Sequence, residues 1–139
     1  MSLFNTFKSA GSAMQAQSQR LNTVASNLAN AETAATKSDD VYKARKVVFE
    51  AELEKALPGS AAMAQGVNVK EVVTSDAQPR KIYDPKHPMA DEQGYVYMPD
   101  INAVEEMVDM MAASRSYQTN AEVMNTAKQL MLKTLNMGQ

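Results

Sequence analysis

Few residues in this 139-residue chain are of a type that does chemistry, and their spacing works against it. His87 is the single histidine, set between Pro85 and Pro88 in a charged stretch. With no cysteine and no second histidine, it has nothing to share a metal with. Ser114 and Ser116 stand in a long apolar-periodic segment, without the Gly-x-Ser-x-Gly turn that exposes a nucleophile. The five glycines form no phosphate-cradling loop. The carboxylate pairs Asp39-Asp40, Asp91-Glu92 and Glu105-Glu106 are adjacent in sequence. Neighbours on a strand or helix point in different directions, so these pairs read as solvated charge, not as acid–base couples. Arg115 is different, because it lies within a turn of Met111 and Gln118 on an apolar stripe. Its stem can snorkel along the helix, or its guanidinium can pair with a carboxylate or helix C-terminus on a neighbouring subunit. No catalytic, metal or cofactor site emerges, and the expectation is a protein that is not an enzyme.

What would position these residues is a pair of long helices at the two ends of the chain. From Asp100 onward, Ala103, Met107, Met110, Ser114, Tyr117, Ala121, Met124, Lys128, Met131 and Leu135 repeat at alternating four- and three-residue steps. That is the heptad rule for a helix packing along another helix. Pro99 closes the preceding segment, Asp100 or Asn102 can cap, and Glu105 follows Asn102 by three residues as in a capping box. Acidic residues near the start and Lys128 and Lys133 near the end suit the macrodipole. The first thirty residues carry a matching line, Leu3, Phe7, Ala10, Met14, Gln17, Leu21, Val24 and Leu28. Each helix spans on the order of 40 Å or more at ~1.5 Å per residue. The two seams can pair inside one domain as an antiparallel hairpin, or part of this apolar surface can face other copies of the chain. Ala10, Gln17, Ser114 and Lys128 are poor core residues, so an isolated pair is weakly held.

Composition narrows the class further. The chain is 45% hydrophobic but only 6% aromatic, with no Trp and 11 Met, a balance that suits adaptable interfaces more than a rigid core. A net charge of -2 gives no reason to expect nucleic acid or an acidic membrane surface as partner. No apolar run approaches the roughly 20 residues that span a bilayer, and Lys8 is not followed by the apolar core of a secretory signal.

The middle is of another kind. Thr33 to Asp40 reads as a loop, and Val41, Tyr42, Val47, Val48 and Phe49 concentrate strand formers around 41–50. Glu50 to Leu57 either continues that strand or forms a helical turn. Pro58 to Gly66 reads as a loop, Val67 to Val73 as a second strand and Lys81-Ile82-Tyr83 as a short third. Asp84 to Gln93 is turn-rich, and Gly94-Tyr95-Val96-Tyr97 is extended again. The predicted fold class is α+β: helical ends over 1–31 and 100–139, and a thin β-rich module of one or two hairpins over 32–99.

Two stretches resemble a known family. Ser18-Gln19-Arg20-Leu21-Asn22, leading to Ala25-Ser26-Asn27-Leu28-Ala29-Asn30-Ala31, resembles the N-terminal signature of bacterial flagellar axial proteins, the rod and hook family. Ser114-Arg115-Ser116-Tyr117-Gln118-Thr119-Asn120, continuing to Lys133-Thr134-Leu135, resembles their C-terminal signature. Tyr42 to Phe49, Pro88 to Asp91 and Gly94-Tyr95-Val96 carry the likeness through the middle. Many members place a Thr-x-Gly-Tyr turn directly after the asparagine motif. Here Thr33 and Tyr42 are separated by the TAATKSDD loop, as suits a short proximal-rod branch.

The resemblance implies a mechanical role. Such proteins are exported unfolded through the flagellar type III export apparatus without a cleaved signal, and fold where they assemble, in the periplasmic part of the basal body. Their terminal helices bundle into the wall of a hollow, torque-transmitting rod, with the middle module outside. Implied partners are further copies of the chain, the proximal-rod protein FlgB, the adaptor FliE and the distal-rod proteins. The expected subunit contacts are Leu3, Phe7, Met14, Leu21, Val24, Asn27, Leu28 and Asn30 on the first helix. On the second they are Met107, Met110, Arg115, Tyr117, Met124, Met131 and Leu135. Side-chain amides of Asn27 and Asn30 would bond across helices and set register. A competing reading is a soluble helical-hairpin adaptor that binds one partner helix.

Overall fold

The computed structural model describes residues 3–53 and 64–137. Helix α1 runs Leu3–Asn30 and helix α2 runs Ala103–Met137, about 42 and 52 Å long at ~1.5 Å per residue. Of the two candidate caps it is Asn102 that starts α2, its Oδ1 accepting from the Val104 N–H at 3.1 Å. At the other boundary the Asn30 side-chain amide donates back to the Ser26 carbonyl at 2.8 Å, within the last turn of α1.

Between the helices lie two antiparallel hairpins. In the first, β1 (Arg45–Leu53) pairs with β2 (Ala64–Thr74); in the second, β3 (Arg80–Tyr83) pairs with β4 (Tyr95–Met98). Two expectations shift here. β1 begins four residues after Val41, which is instead buried ahead of the strand, and it continues through Glu50 to Leu53. β2 begins at Ala64, so Ala64-Gln65-Gly66 is strand and not loop. The partners Glu52 and Leu53 supply the pairing that this stretch lacks as a signal of its own. The remainder of the expected 54–63 loop lies outside the described residues.

The register of the first hairpin explains a break in alternation. Val48 pairs with Glu71 but Phe49 with Val69, so Lys70 is an extra residue in a bulge. Without it Val72 would sit on the opposite face from Val67 and Val69. With it, the pairs Val47–Val72, Phe49–Val69 and Ala51–Val67 share one face.

Helix α1 is the middle layer. Gly11 faces α2, since a Cβ there would meet the Met124 methyl at 3.4 Å, whereas Ser12 faces β2 and accepts the Val67 N–H at 3.0 Å. The β1–β2 hairpin therefore lies along the side of α1 away from α2, with Arg45 beside Asn27 and Glu52 beside Lys8. The buried residues are small: Ala10 and Ala16 on α1, Ala113 and Ala127 on α2, with Val24 and Asn27 closing the far end. Alanines let two backbones approach closely, which is why a chain poor in aromatics can still bury a helix pair.

The contact face of α2 overlaps the line read in the sequence and is shifted toward the positions just before it. Its less exposed positions are Glu106, Asp109, Met110, Ala113, Ser114, Ser116, Asn120, Ala121, Met124, Ala127 and Met131, with Tyr117 at its edge. This face shares Met110, Ser114, Ala121, Met124 and Met131 with the expected seam. Met107 and Lys128 are exposed, and Glu106 and Ala127 stand in their place. The most deeply buried positions are the alanines Ala113 and Ala127.

The loop after α1 is pinned to the second hairpin. Ala35 and Tyr97 exchange N–H···O bonds of 2.8 and 3.0 Å, forming an isolated antiparallel bridge on the outer edge of β4. Gly94 closes the turn-rich excursion with φ 81°, a conformation that a side chain rarely adopts. A Cβ there would also approach the Tyr83 ring and Pro85 at 3.1 Å.

Candidate assembly surfaces

The residues first weighed for chemistry serve local structure. The His87 Nδ1 accepts the Met89 N–H at 3.1 Å inside the excursion. The Asp91 Oδ1 accepts from Gln93 and Tyr95, and the Asp84 Oδ1 accepts from Lys86. Ser114 is half-buried on α2. Among the described residues no cluster of three His, Cys, Asp or Glu side chains could hold a metal, and no helix is long and apolar enough to cross a membrane.

The expected contact residues fall into two groups. Val24 and Asn27 are buried inside the chain itself. The Asn27 amide donates to the Arg45 carbonyl at 2.8 Å and to the Glu106 carboxylate at 3.1 Å. Its oxygen accepts the Arg45 N–H and the Tyr42 hydroxyl, both at 3.0 Å. All four hydrogen-bonding positions of the side chain are filled internally. Asn30 bonds within its own helix, and Met14, Leu21, Leu28, Met110, Met124 and Met131 are half-buried. Sequence reasoning missed Ala113 and Ala127, whose only signal is their seven-fold-multiple spacing, and Glu106, whose role depends on where Asn27 points.

The second group remains uncovered. On α2, Val104, Met107, Val108 and Met111 are 67, 52, 55 and 65% exposed, and their i, i+3, i+4, i+7 spacing makes one continuous stripe. Val104, Val108 and Met111 were not in the expected set, although the same helical spacing would have picked them out. Arg115 extends the stripe by one turn, and its guanidinium has no hydrogen bond or ion pair with the described residues. At the opposite end of the helix pair Leu3, Phe4 and Phe7 of α1 and Leu130, Leu132 and Leu135 of α2 are also exposed. Acidic Glu105 and Asp109 flank the first patch, and Lys128 and Lys133 flank the second. Soluble monomers seldom leave patches of this kind open unless a partner covers them.

Known proteins share these features of the chain. Residues 7–34 match the family model described as flagella basal body rod protein. Residues 92–137 match that of the C-terminal region of the flagellar basal body rod FlgEFG proteins. The flagellar basal-body rod protein FlgC of Escherichia coli O6:H1 is 51% identical over the whole of both chains. The FlgC proteins of Salmonella typhimurium and of Buchnera aphidicola from Schizaphis graminum are 50% and 44% identical, again over both full lengths. The chain belongs to the FlgC family of flagellar basal-body rod proteins, and its work is that of a structural subunit of the rod.

Proposed function

We propose that the chain enters the rod through the apolar faces its own fold leaves uncovered. The carrying observation is that α2 is covered by α1 on one side only, so the Val104–Met111 stripe has no partner within the described residues. Burying four such side chains against a neighbouring helix contributes several kcal/mol, at roughly 1.5–3 kcal/mol per fully buried residue. The acidic surround of this patch and the basic surround of the Leu130–Leu135 end favour one end of a subunit meeting the other end of the next. Arg115 adds a charge-assisted bond to a carboxylate or helix C-terminus across that contact.

In this reading the two helices, 1–31 and 100–139, form the wall of a hollow shaft. The 32–99 module packs outside, and torque is shared along continuous helix contacts. The neighbours are other copies, FlgB, FliE and distal-rod proteins, met in the periplasm after passage through the flagellar type III export apparatus. No catalytic step is involved.

The decisive variant is Met107→Asp. It is expected to leave the circular dichroism of the purified chain unchanged and to abolish incorporation into basal bodies and hence motility. Full motility with Met107→Asp would remove the stripe from the assembly surface.

A further inference from the structure

We propose that Asn27 is a positioning residue that makes docking of the β1–β2 hairpin depend on closure of α2 against α1. Three elements meet at its side chain, which is 1% exposed. In the antiparallel pair, Arg45 sits opposite Thr74, while Ser75 donates to the Ala44 carbonyl at 2.7 Å. The N–H and C=O of Arg45 are turned away from β2, toward the strand's free edge, and both are taken by Asn27. The amide thus acts as a one-residue strand, closing the first rung of an edge that would otherwise be open.

Its second N–H goes to Glu106, which belongs to α2 and is not among the partners of β1 or Tyr42. A primary amide with one proton directed at a carboxylate is polarised, which strengthens what its oxygen accepts. When α2 packs on α1, Glu106 orients the amide and α2 keeps water from it. When α2 is absent, the same amide is solvated, and its grip on Arg45 falls to that of a surface bond. Tyr42 and Ser26 report the same dependence, since the Tyr42 hydroxyl bonds the Asn27 oxygen and lies 3.2 Å from Ser26 Oγ, which accepts from Arg45 Nη2 at 2.9 Å. The hold of α1 on the start of β1 and the closure of α2 therefore support each other through this side chain. This concerns the chain's internal geometry and stands apart from which faces meet neighbours.

Hydrogen exchange of the Arg45 amide tests it, in the full chain and in isolated basal bodies. Glu106→Ala is expected to speed that exchange by about tenfold, the effect of one lost charge-assisted bond. Asp109→Ala removes the neighbouring Arg20–Asp109 contact between the same helices without touching Asn27, and is expected to leave Arg45 unchanged. Glu106→Gln retains an oxygen acceptor and restores protection, and in an Asn27→Ala background Glu106→Ala adds nothing. The Val67 amide, held by Ser12 at the far end of the hairpin, separates local release from global unfolding. Should a variant unfold when free, the basal-body measurement decides. Equal loosening by Glu106→Ala and Asp109→Ala, or equal loosening of Arg45 and Val67 there, would overturn the proposal.

Discussion

Helices α1 and α2 share a heptad pattern, yet their surroundings differ. α1 is flanked by α2 on one side and the β1–β2 hairpin on the other, and its closest contacts are made by Ala10, Gly11, Ser12 and Ala16. α2 touches one partner, and carries Val104, Met107, Val108, Met111, Leu132 and Leu135 outward. A helix between two layers needs small residues because each approach is close. A helix at the edge of a protomer can keep its large apolar residues for others. The two-sided helix is where stability of the single chain is set, and in the proposed reading the one-sided helix is where the assembly is set.

The largest expected effect breaks that contrast at α1. Ala16→Asp places a charge at a buried position on α1 and should lower unfolding stability by about 3 kcal/mol or more. Met107→Asp, by comparison, should change the same denaturation midpoint by less than about 1 kcal/mol. Near-equal losses in the two would erase the distinction. A smaller effect sharpens the contrast within α2. Ala113 is 0% exposed and its neighbour Ala112 is exposed. Ala113→Leu should cost about 1–3 kcal/mol through overpacking, while Ala112→Leu stays within about 0.5 kcal/mol. The reverse ranking in thermal unfolding would mean that another face of α2 meets α1. The smallest effect is expected at His87, outside both helices. His87→Ala removes one turn acceptor and should stay within about 0.5 kcal/mol, with normal swimming in soft agar. Loss of motility in a folded His87→Ala protein would reopen the question of chemistry at that loop.

Both helices were legible from the sequence to within a few residues, because uninterrupted heptads and the Pro99–Asn102 signal are local properties of the chain. The contact seam was legible only in part, since methionines and tyrosine dominate a reading of apolar periodicity while the most buried positions are Ala113 and Ala127. The start of β2 was hidden for a related reason. Gly66 has little strand propensity and is drawn into the ladder by Glu52 of β1, while Gln65 is the extra residue at a register shift, its side chain reached by the Lys8 ammonium at 3.3 Å. Asn27 shows the limit at a single residue. Its type and place in a motif mark a bonded amide, but nothing local tells whether the partners belong to the same chain or the next one.

The Ala35–Tyr97 bridge has a consequence for how such a chain can change over time. It joins the segment leaving α1 to the segment entering α2, so the chain between these two points is a loop whose ends meet there. The two matched family models, 7–34 and 92–137, cover the ground on either side of that bridge and omit most of the loop. The cost of closing a flexible loop grows only with the logarithm of its length, about 0.6 kcal/mol for each doubling. The outer module can therefore be lengthened, shortened or exchanged by insertion at surface turns while the helix pair keeps its register. Change in the length of the β-rich module is thereby separated from the packing of the helix pair.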